Sequence, residues 1–153
     1  MKKLSIFAAM MVVMAGVALA STLNVPFFLD TSTDNASKVA GFIGIKEASG
    51  ANRTITVVYT AVNTSGNPTD QTVTFFLGAS QSVSFTPRTT NPAEDAIAAT
   101  VPNMTIVGPS GATAANIAGS ARIISAGALS GRYAQINFVR SSDMCHVLLP
   151  TAL

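Results

Sequence analysis

From Val25 onward the apolar residues of this chain recur at every second position, with no helical spacing to rival the pattern. The clearest run is RTITVVYTAV, residues 53–62: Ile55, Val57, Tyr59 and Ala61 fall on one face, Thr54, Thr56 and Thr60 on the other. β-Branched and aromatic residues at period two predict a half-buried strand. NTSGNPTD, 63–70, is a dense turn signal. QTVTFFL, 71–77, resumes with Val73, Phe75 and Leu77 on one face; Gly78-Ala79 breaks it, and SQSVSFTP, 80–87, alternates again with Val83 and Phe85. Three successive antiparallel strands are therefore expected over 53–87.

Two more strands are expected before these, LNVPFFL (23–29) and KVAGFIGIKE (38–47). Pro26 cannot donate to a ladder, so the first is an edge strand or a bulged one. Gly41 and Gly44 flank Phe42-Ile43 and suggest close packing or a bend. NPAEDAIAA, 91–99, is the one helix-like piece. Asn91 can cap it, Pro92 suits its first position, and Glu94 and Asp95 favour its positive end, which gives a short helical turn near 92–99. The last third reads as MTIVGP, a Gly/Ala/Ser-rich loop (108–119), SARIISAG, the turn ALSG, RYAQINFVR and MCHVLLP. In RYAQINFVR, Ala134, Ile136 and Phe138 share the face expected to be buried, opposite Gln135 and Asn137.

Eight or nine short strands with turn signals every roughly 8–12 residues predict an all-β fold, an antiparallel β-sandwich. An outer-membrane barrel is the rival, but its strands run about 9–11 residues with aromatic girdles. This chain has shorter predicted strands, no Trp and two Tyr, and it ends in Leu153.

The N-terminus changes how the composition is read. Lys2 and Lys3 precede an uncharged apolar run, Leu4 to Leu19, and Ala18-Leu19-Ala20 offers small residues where a signal peptidase reads. The run falls short of the roughly 20 residues of a spanning helix. Cleavage before Ser21 would leave 133 of the 153 residues as one domain, 21–153, with no transmembrane span. No cysteine follows the cut, so lipid anchoring is not indicated, and the leader has a bacterial look. The product would be secreted, periplasmic or held at the cell surface.

The full chain carries nine Lys and Arg against seven Asp and Glu, but Lys2 and Lys3 leave with the leader. The mature chain is then formally neutral, with seven charges of each sign. Lys38, Lys46, Arg53, Arg88, Arg122, Arg132 and Arg140 are scattered singly, so no nucleic-acid partner is expected. Few charges and no net charge leave little to hold copies apart.

Residues 42–87, FIGIKEASGANRTITVVYTAVNTSGNPTDQTVTFFLGASQSVSFTP, resemble the three-strand core of bacterial immunoglobulin-like and fibronectin-like surface modules. The shared elements are an apolar strand before a small-residue turn, the TVVYTAVNTSG strand and turn, and the LGASQSVSFTP return. The resemblance covers about a third of the chain and lacks the Cys…Trp…Cys framework of antibody domains. It implies an adhesive, scaffolding or carbohydrate-contacting role.

Chemistry concentrates at SSDMCHVLLP, 141–150, where the only cysteine, Cys145, precedes the only histidine, His146. Haem attachment needs C-x-x-C-H, and Ser142 stands where the first cysteine belongs. A structural zinc site needs about four ligands. Neighbours on a strand point to opposite faces, which also separates a Cys–His catalytic pair. The favoured reading puts Cys145 with Val147 and Leu149 on a buried face and His146 outside; the other has Cys145 joining two chains.

DTSTDNAS, 30–37, places Asp30, Ser32 and Asp34 at calcium-loop spacing, but Asn35 and Gly41 occupy positions that need Gly and Glu. It reads as an Asx-rich turn. Glu94 and Asp95 are adjacent and cannot face each other as a catalytic pair on a helix. Asn35, Asn52, Asn63 and Asn103 open sequons that read as chance in an Asn/Thr-rich strand protein. The stretch 108–131 is no phosphate loop, because no Lys follows its glycines; it reads as loop, or as a thin strand able to pack closely on another chain.

No catalytic, cofactor or metal residue emerges. The expected function is that of a non-enzymatic structural or adhesive protein, associating with itself or another surface protein. Strand addition by STLNVPFFLD is one route. The alternative is a binding module for a glycan or small ligand.

Overall fold

The computed structural model describes residues 20–30, 39–87, 91–92, 100–106, 117–137 and 142–152. Their strands are β1 (Ser21–Asp30), β2 (Val39–Glu47), β3 (Arg53–Val62), β4 (Pro68–Leu77), β5 (Ser82–Phe85), β6 (Asn91–Pro92), β7 (Thr100–Val101), β8 (Ile117–Ser125), β9 (Leu129–Asn137), β10 (Ser142–Leu148) and β11 (Thr151–Ala152). All pairings are antiparallel. One sheet has the order β11-β1-β8-β3-β4, the other β10-β9-β2-β5, and β6 with β7 forms a short ladder of its own. Eight of these strands are longer than two residues, and six of them run 9–10 residues, longer than the short strands expected; the described residues contain no helix.

The two main sheets share one apolar core. Ile55, Val57, Tyr59 and Ala61 of β3 and Phe75 and Leu77 of β4 are buried from one side, Val83 and Phe85 of β5 from the other, each on the face its alternation predicts. Phe75 meets Phe85 across the layers, edge to face, with ring centroids 6.0 Å apart. Each such side chain contributes about 1.5–3 kcal/mol by leaving water.

Strand β1 obeys Pro26. Val25 pairs with Ala121 but Phe28 with Gly119, so β1 spends three steps against two on β8. The extra residue is a β-bulge at Pro26-Phe27, where a missing N–H is tolerated. It shifts the alternation by one, so that Phe28 enters the core against Tyr59 while Phe27 is turned out. STLNVPFFLD is thus no free arm, because it pairs with its own β8 from Ser21 to Asp30.

The three strands expected over 53–87 are present as β3, β4 and β5; β4 pairs with β3, while the turn 78–81 carries the chain to the other sheet, where β5 pairs with β2. Two further expectations need correction. Pro92 does not begin a helix; Asn91 and Pro92 pair with Val101 and Thr100, and residues 93–99, with Glu94 and Asp95, lie outside the described residues. Alternation in β9 runs opposite to expectation. Leu129 and Tyr133 are buried, so Ala134 and Ile136 lie on the outer side, and Phe138 lies outside the described residues.

Along the β4/β5 side the gap between sheets is closed by the chain's own segment 101–106. Val101 and Met104 are buried in the core, and the Met104 N–H donates to the Pro87 carbonyl at 2.7 Å. Gln71 of β4 acts as a surrogate strand partner. Its Oε1 accepts from the Thr105 N–H at 2.6 Å, and its Nε2 donates to the Asn103 carbonyl at 3.2 Å.

One core group is out of place. The Tyr59 hydroxyl is buried and has no hydrogen-bond partner among the described residues, and burial pushes its pKa above the ordinary phenol value. Tyr59→Phe is expected to stabilise the fold by about 1 kcal/mol, because it removes an unsatisfied polar atom without opening a cavity. A thermal melt checks this; a lower melting temperature would mean that the hydroxyl is satisfied after all.

Candidate functional site

Cys145 and His146 fix the phase of β10. Opposed residues of an antiparallel pair share a face, and His146 lies opposite Tyr133, Leu148 opposite Gly131, and Cys145 opposite Ala134. Because Tyr133 faces the core, residues 144, 146 and 148 point inward and 145 and 147 outward. Cys145 is therefore exposed, not buried, and Leu148 is the residue that enters the core. MCHVLL carries apolar side chains on both faces, so alternation could not select between the two phases.

The pair does not converge on one point, and the described residues contain no group of three His, Cys, Asp or Glu able to hold a metal. Residues 31–38, with Ser32, Asp34 and Asn35, lie outside the described residues, as does 107–116. Ile117–Ser125 is β8, packed between β1 and β3 of its own chain. Two of the sequon asparagines serve the backbone. Asn63 Oδ1 accepts from the N–H groups of Ser65 and Asn67, and Asn52 Oδ1 from that of Ala79.

The sequence reading passed over Glu47. Its side chain is fully buried between turns 48–52 and 78–81. Oε1 accepts from the Ser49 N–H at 2.8 Å and from the Ser49 hydroxyl; Oε2 accepts from the N–H of Gly50 at 2.8 Å and of Ser80 at 3.1 Å. Burial alone would raise its pKa, but these donors outweigh it and hold the carboxyl at about 2, against 4.5 ordinarily. Both oxygens are engaged, so Glu47 ties turn 48–52 to turn 78–81. A period-two reading carried on from Ile43 and Ile45 would have placed it inside, just before the donors of Ser49-Gly50.

The surface that stands out lies between β1 and β10. Here no described residue covers the inward face of β10 at Met144 and His146, and a groove of about 480 Å³ opens between Pro26 and Phe27 on one side and Met144, His146 and Leu149 on the other. Phe27 is 56% exposed, Met144 48%, Val147 76% and Leu149 75%, which makes four of the six exposed large apolar side chains among the described residues. In the floor, Tyr133 spans the sheets: its oxygen accepts from the Leu29 N–H at 3.3 Å, and its hydroxyl donates to Gln135 Oε1 at 3.1 Å.

Both walls are strand edges. β10 is the last strand of its sheet, and β1 has β11 beside it only at Ser21 and Thr22. The groove thus offers apolar contact beside backbone that has no strand partner among the described residues. Among the described residues no helix is long and apolar enough to cross a membrane. Compared with known protein families, with curated proteins and with solved structures, the chain matches none.

Proposed function

We propose that this two-sheet body is an immunoglobulin-like β-sandwich, exported after cleavage before Ser21, and that it serves as a non-enzymatic structural or adhesive subunit by associating with copies of itself. The observation that carries this reading is the groove, with Phe27, Met144, Val147 and Leu149 exposed together beside two strand edges that have no partner there among the described residues. Clustered apolar exposure rimmed by unpaired strand is costly in an isolated soluble protein and marks an interface.

A second copy is the occupant the chain's own properties favour. Seven charges of each sign in the mature chain leave copies without net repulsion. β10 can pair with β10 of another copy about a two-fold axis, a self-complementary addition. On the opposite side of the body, 101–106 closes the gap between sheets; the β1/β10 side has no equivalent cover among the described residues.

Sedimentation velocity of the mature protein over a range of concentrations tests the reading. Concentration-dependent association is expected. The double variant Met144→Lys, Leu149→Lys should weaken it at least tenfold, about 1.4 kcal/mol, with little change of melting temperature at dilutions where the wild type is monomeric, because Met144 is about half exposed and Leu149 75% exposed. A wild-type protein that stays monomeric throughout, or a variant that associates equally well, would overturn it.

A further inference from the structure

We propose that the outer face of β5-β2-β9 is a binding site for an acidic saccharide, recognised through its carboxylate or sulfate group. Register places six residues there in two cross-strand rows: Ser84, Gly44 and Arg132 in one, Ser82, Lys46 and Ser130 in the next. All six face outward, since Ile43, Ile45, Val83, Phe85, Leu129 and Tyr133, which alternate with them, are buried. Together they line a hollow of about 300 Å³, at the small end of ligand sites.

The hollow owes its shape to Gly44. Any side chain there would stand in the middle of the upper row; instead Arg132 lies across the space, its Cγ 3.3 Å and its Nε 3.5 Å from where a Cβ would sit. A guanidinium laid over a glycine presents a planar, forked donor to an oxyanion. Lys46, diagonal to Arg132 across the β2–β9 pair, supplies a second cation at roughly 7–8 Å between backbones. No carboxylate lines the hollow, and neither cation forms an ion pair among the described residues.

In a chain whose mature charges balance, two cations facing one acid-free hollow constitute a local positive field. The three serine hydroxyls both donate and accept, which suits the hydroxyls of a sugar. With no aromatic platform in the lining, discrimination would rest on the anionic group and not on stacking.

This site lies on a different face from the association groove, and the two stand or fall separately. Val147 is the one link, paired with Arg132 and also lining the groove, so it is left intact in the test. Mature wild-type protein is titrated by calorimetry and by NMR shift mapping with an oligouronate, a neutral oligosaccharide of the same length, and inorganic sulfate. Saturable, salt-sensitive binding of the oligouronate is expected, with shifts centred on Gly44, Ser82 and Ser130. Lys46→Ala and Arg132→Ala should each weaken it about tenfold or more. Arg132→Lys should not restore it, and Gly44→Val should abolish it by filling the hollow. Melting temperatures report whether each variant is folded, and shift mapping on the wild type does not depend on any of them. Equal binding of the neutral sugar, sulfate binding as tight as the oligouronate, indifference to both cation variants in folded protein, or no saturable binding at all would each overturn the proposal.

Discussion

Glu47→Gln is expected to lower the melting temperature at neutral pH by on the order of 10 °C and to flatten the acid limb of the stability profile. Glutamine keeps the shape but has one acceptor oxygen where glutamate has two. Its NH₂ would face either the Ser49 pair of donors or the N–H groups of Gly50 and Ser80, leaving backbone donors buried without an acceptor. The wild-type carboxyl is held at about 2 in the fold against 4.5 ordinarily. A group whose pKa is depressed by folding stabilises the fold wherever it is ionised in both states. That contribution is complete above pH 4.5, declines as the pH falls from there toward 2, and is absent below both values. The gap between wild type and Glu47→Gln should therefore be widest above about pH 5 and shrink steadily as the pH approaches 2. Thermal melts of both proteins across that range check it. A gap that stayed constant to pH 2 would mean that the side chain is not an ionised acceptor in the folded protein.

Gly119→Val is expected to destabilise by about 3 kcal/mol or more, with Gly119→Ala somewhat milder at roughly 2. In β8, Gly119 is opposed by Phe28 of β1 and by Ala61 of β3. A Cβ there would come within 2.5 Å of the Thr60 carbonyl oxygen, 3.1 Å of Phe28 Cζ and 3.3 Å of Ala61 Cβ. The first of these belongs to backbone inside a paired sheet and cannot move aside as a side-chain tip would. The strand must shift, and the shift falls beside the bulge that delivers Phe28 to the core. Denaturant unfolding measures the cost. A loss under 1 kcal/mol for valine would show that β8 has slack at this point.

Both residues mark where the sequence was readable and where it was not. β3 could be read outright, because Ile55, Val57, Tyr59 and Ala61 make one face wholly apolar, while Thr54, Thr56 and Thr60 outnumber Val58 and Val62 on the other. In β9 the inward positions include Gly131 and Gln135, which carry no apolar signal, so Ile136 and Phe138 dominated the pattern and reversed it. In β10 an edge beside an open groove lets apolar residues occupy both faces. GASQ, 78–81, turns the chain equally well within a sheet or between sheets, and nothing local to it says that β5 pairs with β2. Pro26 announced its bulge, although not which of Phe27 and Phe28 would be buried. The groove was the least legible feature. It is made by β1 and β10, more than a hundred positions apart, and exists only once both have taken their places.

Ser21 sits opposite Ala152, and its hydroxyl also donates to the Gly127 carbonyl and accepts from the Leu129 N–H. Both ends of the described body therefore issue from the pole that carries turns 48–52, 78–81 and 126–128, while the 63–67 hairpin lies at the other. Anything tethering the protein through either terminus would grip the same pole, leaving the far one pointing away from the anchor and the two flanks free to meet neighbours side by side.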